Sequence, residues 1–217
     1  MENQKDDFTL KNYKRCIELS LKNSYKFITM NNFFSQENLN EHEKQIILRH
    51  DVDTQLDVAV KKAKIEKDLG VKSTYFIRLH SHSYNPLCLK DYNKIIKIIH
   101  YGHEIGLHYE SDFYCYTSKE ALYLLNKEVE ILNDFFNINV KTICPHEPTR
   151  TNLFYLAGTS LNQAYDNNLL SKFKYISDSS CRWRDGSFYE NIKEDHQKLY
   201  ILTHPYWWYN QSPIENY

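Results

Sequence analysis

The chain is poor in the two residues that punctuate flexible architecture. Its 217 residues include five glycines and five prolines. That leaves little material for a hinge or linker and favours one large domain over two small ones. No run approaches 18 apolar residues, which excludes a membrane-spanning helix. Basic charge is not in excess: 27 Lys and Arg face 28 Asp and Glu, for a net charge of -1. Nucleic-acid binding draws on such an excess for its phosphate contacts, so DNA and RNA are not expected partners. The five cysteines (16, 88, 115, 144, 181) are odd in number and none forms a Cys-x-x-Cys pair. Residues 1–7 show no apolar stretch behind a basic start, so no signal peptide is expected. Reduced thiols in a cytoplasmic protein are the simplest account.

What is abundant is aromatic: 15% of residues, 18 of them Tyr. The apolar pattern alternates between two periods. Short runs rich in β-formers at 46–51, 73–78, 104–109, 140–144, 174–177 and 199–202 read as strands. Between them lie helical stretches. Residues 54–69 carry Leu56, Ala59, Val60 and Ala63 on one face and stop at Gly70, and 89–100 stop before Gly102. A capping-box pattern at 117–120 opens a helix bearing Leu122, Leu125, Val129, Leu132 and Phe136. Six strands alternating with helices predict an α/β domain with a parallel sheet or a (β/α) barrel, spanning residues 41–217. Residues 1–40 read as a helix at about 10–22 and a polar loop packed on it.

The unusual polar clusters fall where these strands stop, the edge at which parallel α/β folds build sites. Asp51 and Asp53 in Arg49-His50-Asp51-Val52-Asp53 share a side, because an extended chain has a period of two. Two neighbouring carboxylates ionise together only if a cation sits between them. A metal held by one, with the other as a base, meets that condition, and Asp53 also stands where a helix N-cap would. In Gly102-His103-Glu104-Ile105-Gly106-Leu107-His108-Tyr109-Glu110, His108 shares parity with Gly106, whose missing side chain leaves room for a metal or substrate. His103 has the opposite parity and reads as structural. Glu110 and Asp112 follow at even spacing. His146 ends a third apolar run between Pro145 and Pro148, with Arg150 close behind. His204 ends a fourth, followed by Pro205, Tyr206, Trp207 and Trp208, which read either as a sugar-binding platform under an acid or as a seal on the barrel end.

Taken in order, Arg-His-Asp-Val-Asp (49–53), Gly-His-Glu-Ile-Gly-Leu-His-Tyr-Glu (102–110), Thr-Ile-Cys-Pro-His (142–146), Ile-Ser-Asp-Ser (176–179) and Leu-Thr-His-Pro (202–205) resemble the polysaccharide deacetylase superfamily (NodB homology, carbohydrate esterase family 4). The likeness is greatest to its divergent His-Asp-Val-Asp branch, found among surface-polysaccharide biosynthesis genes. The resemblance implies a single-domain distorted (β/α) barrel of six to seven parallel strands and a metal-assisted deacylation of an acylated sugar. It implies Asp51 as general base, Asp53 and His108 as metal ligands, His204 as general acid and Asp178 as the acid's support.

Two departures follow. The second motif's usual further His is Asp112 here, so the third ligand is expected from His146, with Asp112 and Glu110 as alternatives. The third motif's usual Arg is absent, and Arg150, Arg182 or Arg184 are candidates for its role. One divalent ion is expected, zinc first, with Fe, Co, Ni or Mn also compatible with Asp/His ligands. The competing reading is a relative that keeps the fold as a carbohydrate-binding or scaffold protein without turnover. The sequence leaves the oligomeric state open.

Overall fold

The computed structural model describes residues 8–35, 42–114 and 118–216. The strands are β1 (Lys26–Ile28), β2 (Gln45–Val52), β3 (Thr74–Ile77), β4 (Glu104–Glu110), β5 (Thr142–His146), β6 (Asn162–Gln163), β7 (Lys174–Ser177) and β8 (Lys198–Thr203). The helices are α1 (Leu10–Lys22), α2 (Met30–Ser35), α3 (Leu56–Asp68), α4 (Leu89–His100), α5 (Ser118–Phe136), α6 (Pro148–Thr151), α7 (Asn167–Lys172) and α8 (Phe188–Lys193). Every strand pairing is parallel. Seven strands run in the order β6-β5-β4-β3-β2-β8-β7, curling into an open, distorted barrel. The eighth, β1, pairs with the start of β2.

Two strands lie beyond the six read from the sequence. β6 is two residues long and β1 three. Neither is long enough to show a period, and both are fixed by pairing with distant strands. The N-terminal segment therefore supplies a strand to the sheet as well as α1. Met30 and Phe33 of α2 are also buried within the barrel. The capping-box pattern begins at Thr117, which lies outside the described residues. Gly70 adopts φ +72 just past α3, a left-handed conformation that glycine enters without steric cost.

Strand parity sorts the side chains into three apolar groups. Outward residues of β3 and β4 (Tyr75, Ile77, Ile105, Leu107) pack on α3, α4 and α5. Outward residues of β2 and β8 (Ile46, Leu48, Leu199, Ile201) pack on α1 and α8. Inward residues Ile47, Phe76, Cys144 and Tyr200 fill the barrel with Met30 and Phe33. The fully buried Ile95 and Ile98 tie α4 to the sheet, each contributing about 1.5–3 kcal/mol.

Gly106 answers to this packing. A Cβ there would lie 2.4 Å from the Phe76 ring and 2.8 Å from Thr142 Oγ1. The room expected for a metal or substrate is thus filled by neighbouring strands. Among the described residues, no helix is long and apolar enough to cross a membrane.

Candidate active site and metal centre

The inward parity of each strand continues past its C-terminal end and delivers the polar groups there. Arg49 and Asp51 stand on β2, with Asp53 just beyond it. His108 stands on β4, His146 closes β5 and His204 follows β8. Asp53 is where they meet. Its Oδ1 lies 3.1 Å from His108 Nε2 and 3.7 Å from His146 Nε2, and its Oδ2 lies 3.8 Å from His204 Nε2. The cap of α3 falls on Gln55, without a side-chain bond. Asp53 is therefore not a helix cap, and its carboxylate faces the histidines.

The other nitrogen of each ring is held by an acceptor. His108 Nδ1 is 2.9 Å from the Cys144 carbonyl, His146 Nδ1 3.1 Å from Glu110 Oε2, and His204 Nδ1 2.6 Å from Asp178 Oδ1. A neutral ring in that setting carries its proton on Nδ1 and turns the Nε2 lone pair toward Asp53. Lone pairs facing a carboxylate need a cation between them, either a proton on the ring or a metal ion. Outer partners that fix Nδ1 are the usual support for imidazole ligands. Asp53 Oδ1 and the Nε2 atoms of His108 and His146 are thus the candidate donors for one divalent ion, although the three atoms do not all lie within 4.8 Å of one another. His204 stands apart on Oδ2.

Electrostatics follow the same division. Burial works against charge on His108, but Asp51 and the Asp53 contact outweigh it and hold its pKa well above the usual imidazole value. Burial likewise opposes charge on His204, and Asp178 outweighs it, raising the pKa. Asp178 is fully buried and also accepts from the His204 backbone N–H and from Trp208 Nε1 at 2.9 Å. Asp53 is lowered, the His108 bond overcoming burial.

Asp51 is held differently. Arg49 Nε and Nη2 donate to its two oxygens at 2.9 and 2.8 Å. Arg49 is itself fully buried, donating to Tyr200 and Tyr165 hydroxyls at 2.6 and 3.0 Å. Burial would raise the Asp51 pKa, but Arg49 forces it far below the carboxylate range. Arg49 was legible as a motif letter but not as a partner, although the i, i+2 spacing places it on the same side as Asp51. Among the described residues Arg49, and not Arg150, Arg182 or Arg184, makes the ion pair with Asp51. Arg150 is half exposed and pairs with Asp112 at 2.9 Å and Glu147 at 3.3 Å.

Asp51, His108 and Cys144 do offer donor atoms within 4.8 Å of one another. That trio suits an ion less well. Burial raises the pKa of the Cys144 thiol, whereas a metal takes the thiolate. Its Sγ donates instead to Asp51 Oδ2 at 3.7 Å.

The remaining expectations divide. Glu110 lies between His146 and Arg78, whose Nε donates to it at 2.7 Å. Burial opposes its charge, but these partners bring its pKa down to about 2. Glu110 holds the His146 ring from its Nδ1 side. Asp112 is exposed and turned to Arg150. Trp208 is core, Trp207 lines the site, and Tyr206 packs edge-on against Trp207 at 4.9 Å. A cavity of about 780 Å³ opens over Asp51, Asp53 and the three histidines, walled by Tyr165, Tyr175 and Trp207.

No family model matches the sequence, and no curated protein matches it. Solved structures do. The Streptococcus pyogenes deacetylase PplD, determined in complex with acetate, superposes with a TM-score of 0.52 at 16% identity. The match covers 97% of this chain and 84% of that one. A family 4 carbohydrate esterase from Bacillus anthracis gives 0.50 at 17% identity, over 87% of this chain and 75% of that one. The peptidoglycan deacetylase PdaC of Bacillus subtilis gives 0.47 at 15%, over 77% of each chain. At these identities the likeness is one of fold alone: the chain shares the fold of the PplD deacetylase and of the family 4 carbohydrate esterase.

Proposed function

We propose that this chain is a metal-dependent hydrolase that removes an acyl group, foremost an acetyl, from an amino sugar or sugar precursor of surface-polysaccharide biosynthesis in the cytoplasm. One observation carries this reading. Three imidazole Nε2 atoms converge on the Asp53 carboxylate, beside an arginine-bound Asp51, at the floor of an open cavity. A divalent ion, zinc foremost, held by Asp53, His108 and His146 supplies Lewis acidity toward the acyl carbonyl and toward water when bound.

The chain's own groups do the rest. Arg49 keeps Asp51 ionised, so Asp51 accepts the proton of the attacking water. His204, its Nδ1 fixed by Asp178 and its pKa raised, is held toward its protonated form, with the acidic proton on Nε2. It delivers that proton to the departing amine or alkoxide, and acetate remains. The cavity is of a size that suits a small sugar ligand. Trp207 and Tyr165 provide aromatic walls for a sugar ring.

The test is acetate release from a panel of N- and O-acetylated sugars by metal-loaded protein, wild type beside Asp51→Asn. The expected result is release by the wild type and loss of about 10²–10⁴-fold in the variant, at unchanged metal content. Release by both at equal rate removes Asp51 as the base. One bound ion with no release from any sugar points to a carbohydrate-binding relative without turnover.

A further inference from the structure

The chain has six arginines. Arg49 and Arg78 are locked to Asp51 and Glu110, Arg150 to Asp112 and Glu147, and Arg15 lies over the Tyr189 ring. Only Arg182 and Arg184 have no carboxylate or aromatic partner among the described residues, and both line the cavity above Asp53. Their charge is therefore not spent inside the protein.

The segment that bears them is pinned. Trp183, between them, is buried, stacked on Phe8 at 6.2 Å and edge-on to Trp208 at 6.5 Å. The Arg182 N–H donates to the Asp178 carbonyl at 3.3 Å, closing the turn on the residue that holds His204. One side chain in and its two neighbours out presents both guanidinium groups from a fixed base. That limits the ordering cost of gripping a ligand. The Ser177 and Ser179 hydroxyls line the same wall, 2.6 Å apart.

The charge balance of the cavity points the same way. Asp51 is neutralised by Arg49 and Glu147 by Arg150, and Asp53 faces the histidines. What remains is two arginines against Asp185, which lines the cavity without pairing with either. Paired guanidinium groups with flanking hydroxyls match the several oxygens of a phosphate better than the two of a carboxylate.

We propose that the substrate is a phosphate or diphosphate ester of an acylated sugar, with Arg182 and Arg184 gripping the phosphate while the acyl group lies over Asp53. This rests on the hydrolase reading for the acyl end alone. The phosphate grip is a binding property and is tested as one.

The experiment is titration calorimetry on the full-length protein with three probes: N-acetylglucosamine, its 1-phosphate and its uridine diphosphate ester. Wild type and R182Q/R184Q are compared, with thermal unfolding to confirm that the double variant folds. These side chains are exposed, so it is expected to. The expected result is binding of the phosphorylated probes at least about tenfold tighter than the neutral sugar, a preference erased in R182Q/R184Q. Neutral-sugar affinity should not change. A tighter nucleotide ester identifies a diphosphate donor, and equal affinities identify a single phosphate. Equal binding of all three probes, or a preference that survives in the variant, overturns the proposal. Phosphate preference without acetate release would leave this site standing and remove the hydrolase reading. Acetate release indifferent to phosphate and to R182Q/R184Q would do the reverse.

Discussion

β2 carries a histidine–carboxylate cluster on each face, and the two behave as opposites. On the outward face, His50 meets Glu66, with Lys62, His103, Tyr13, Ser73, Tyr75 and Thr203 around them, all buried. A continuous chain of hydrogen bonds links them. Lys62 donates to Thr203 Oγ1 at 2.5 Å, Thr203 lies 2.7 Å from His50 Nδ1, and His50 Nε2 lies 2.8 Å from Glu66 Oε1. The Tyr13, Ser73 and Tyr75 hydroxyls all donate to Glu66 as well. A neutral His50 completes this chain, and burial holds its pKa down to about 4. On the inward face, three Nε2 atoms face one carboxylate beneath a cavity, a cluster that closes only with protons or a metal ion between them. A cluster of titratable groups is thus not by itself a site. A closed donor count in a dry interior marks structure, and a surplus of acceptors at an open cavity marks a place for a cation.

The largest expected effect breaks the closed face. Glu66→Ala leaves His50 and three hydroxyls without their acceptor, and should cost about 3–5 kcal/mol, measured by urea unfolding. Asp53→Asn on the open face should change the stability of the metal-free protein by less than about 1 kcal/mol while abolishing metal binding. Equal destabilisation by the two variants would erase the distinction between the faces.

Much of that distinction was legible in parity. The alternation that puts Asp51 and Asp53 on one side puts His50 on the other, and His103 reads as structural for the same reason. Its Nε2 indeed faces the Ala63 carbonyl at 2.9 Å. α4 runs over 89–100 and β7 over 174–177, as their apolar periods require. What parity alone does not reveal is what arrives from far along the chain. Arg49 becomes the partner of Asp51 because Tyr165 and Tyr200 arrive to cap its remaining donors. Gly106 reads as room for a ligand until Phe76 is placed beside it by the neighbouring strand. Trp207 and Trp208 are alike in sequence, and it is Trp208 that turns inward, onto Asp178, Phe8 and Tyr13. β1 and β6 are too short to carry a pattern and exist through pairing alone.

The next effect uses pH, to which the two faces respond with opposite sign. His50 falls from 6.5 to about 4 and Glu66 from 4.5 to about 2 on folding. Burial sets the His50 shift, while for Glu66 the His50 and Ser73 contacts overcome burial. The unfolded chain therefore binds more protons than the folded one below about pH 6.5. These contributions are full above that pH and are lost as it falls through 4 and then toward 2. His108 and His204 are raised, so in the metal-free protein their contribution is full below 6.5 and fades as pH rises. The outward face is isolated by difference. The urea midpoint of wild type, relative to His50→Gln, should drop between pH 7 and pH 4.5. A constant difference would mean that His50 is charged in the folded protein.

The smallest effects sharpen the inward face, by asking which acidic neighbour of His146 supports metal binding. Glu110 touches His146 Nδ1 and is fixed in turn by Arg78. Glu110→Gln keeps the shape but weakens the hold on the ring, and should reduce metal affinity about 10–100-fold, as loss of an outer partner does. Asp112 also lies two residues beyond a candidate, yet it is exposed and spent on Arg150. Asp112→Asn should leave both metal affinity and stability within about 0.5 kcal/mol of wild type. Competition of both variants against a chromogenic zinc chelator reads the two numbers on one scale. If Asp112→Asn lost the ion while Glu110→Gln kept it, the third ligand would be Asp112, and the convergence of His146 on Asp53 would be packing alone.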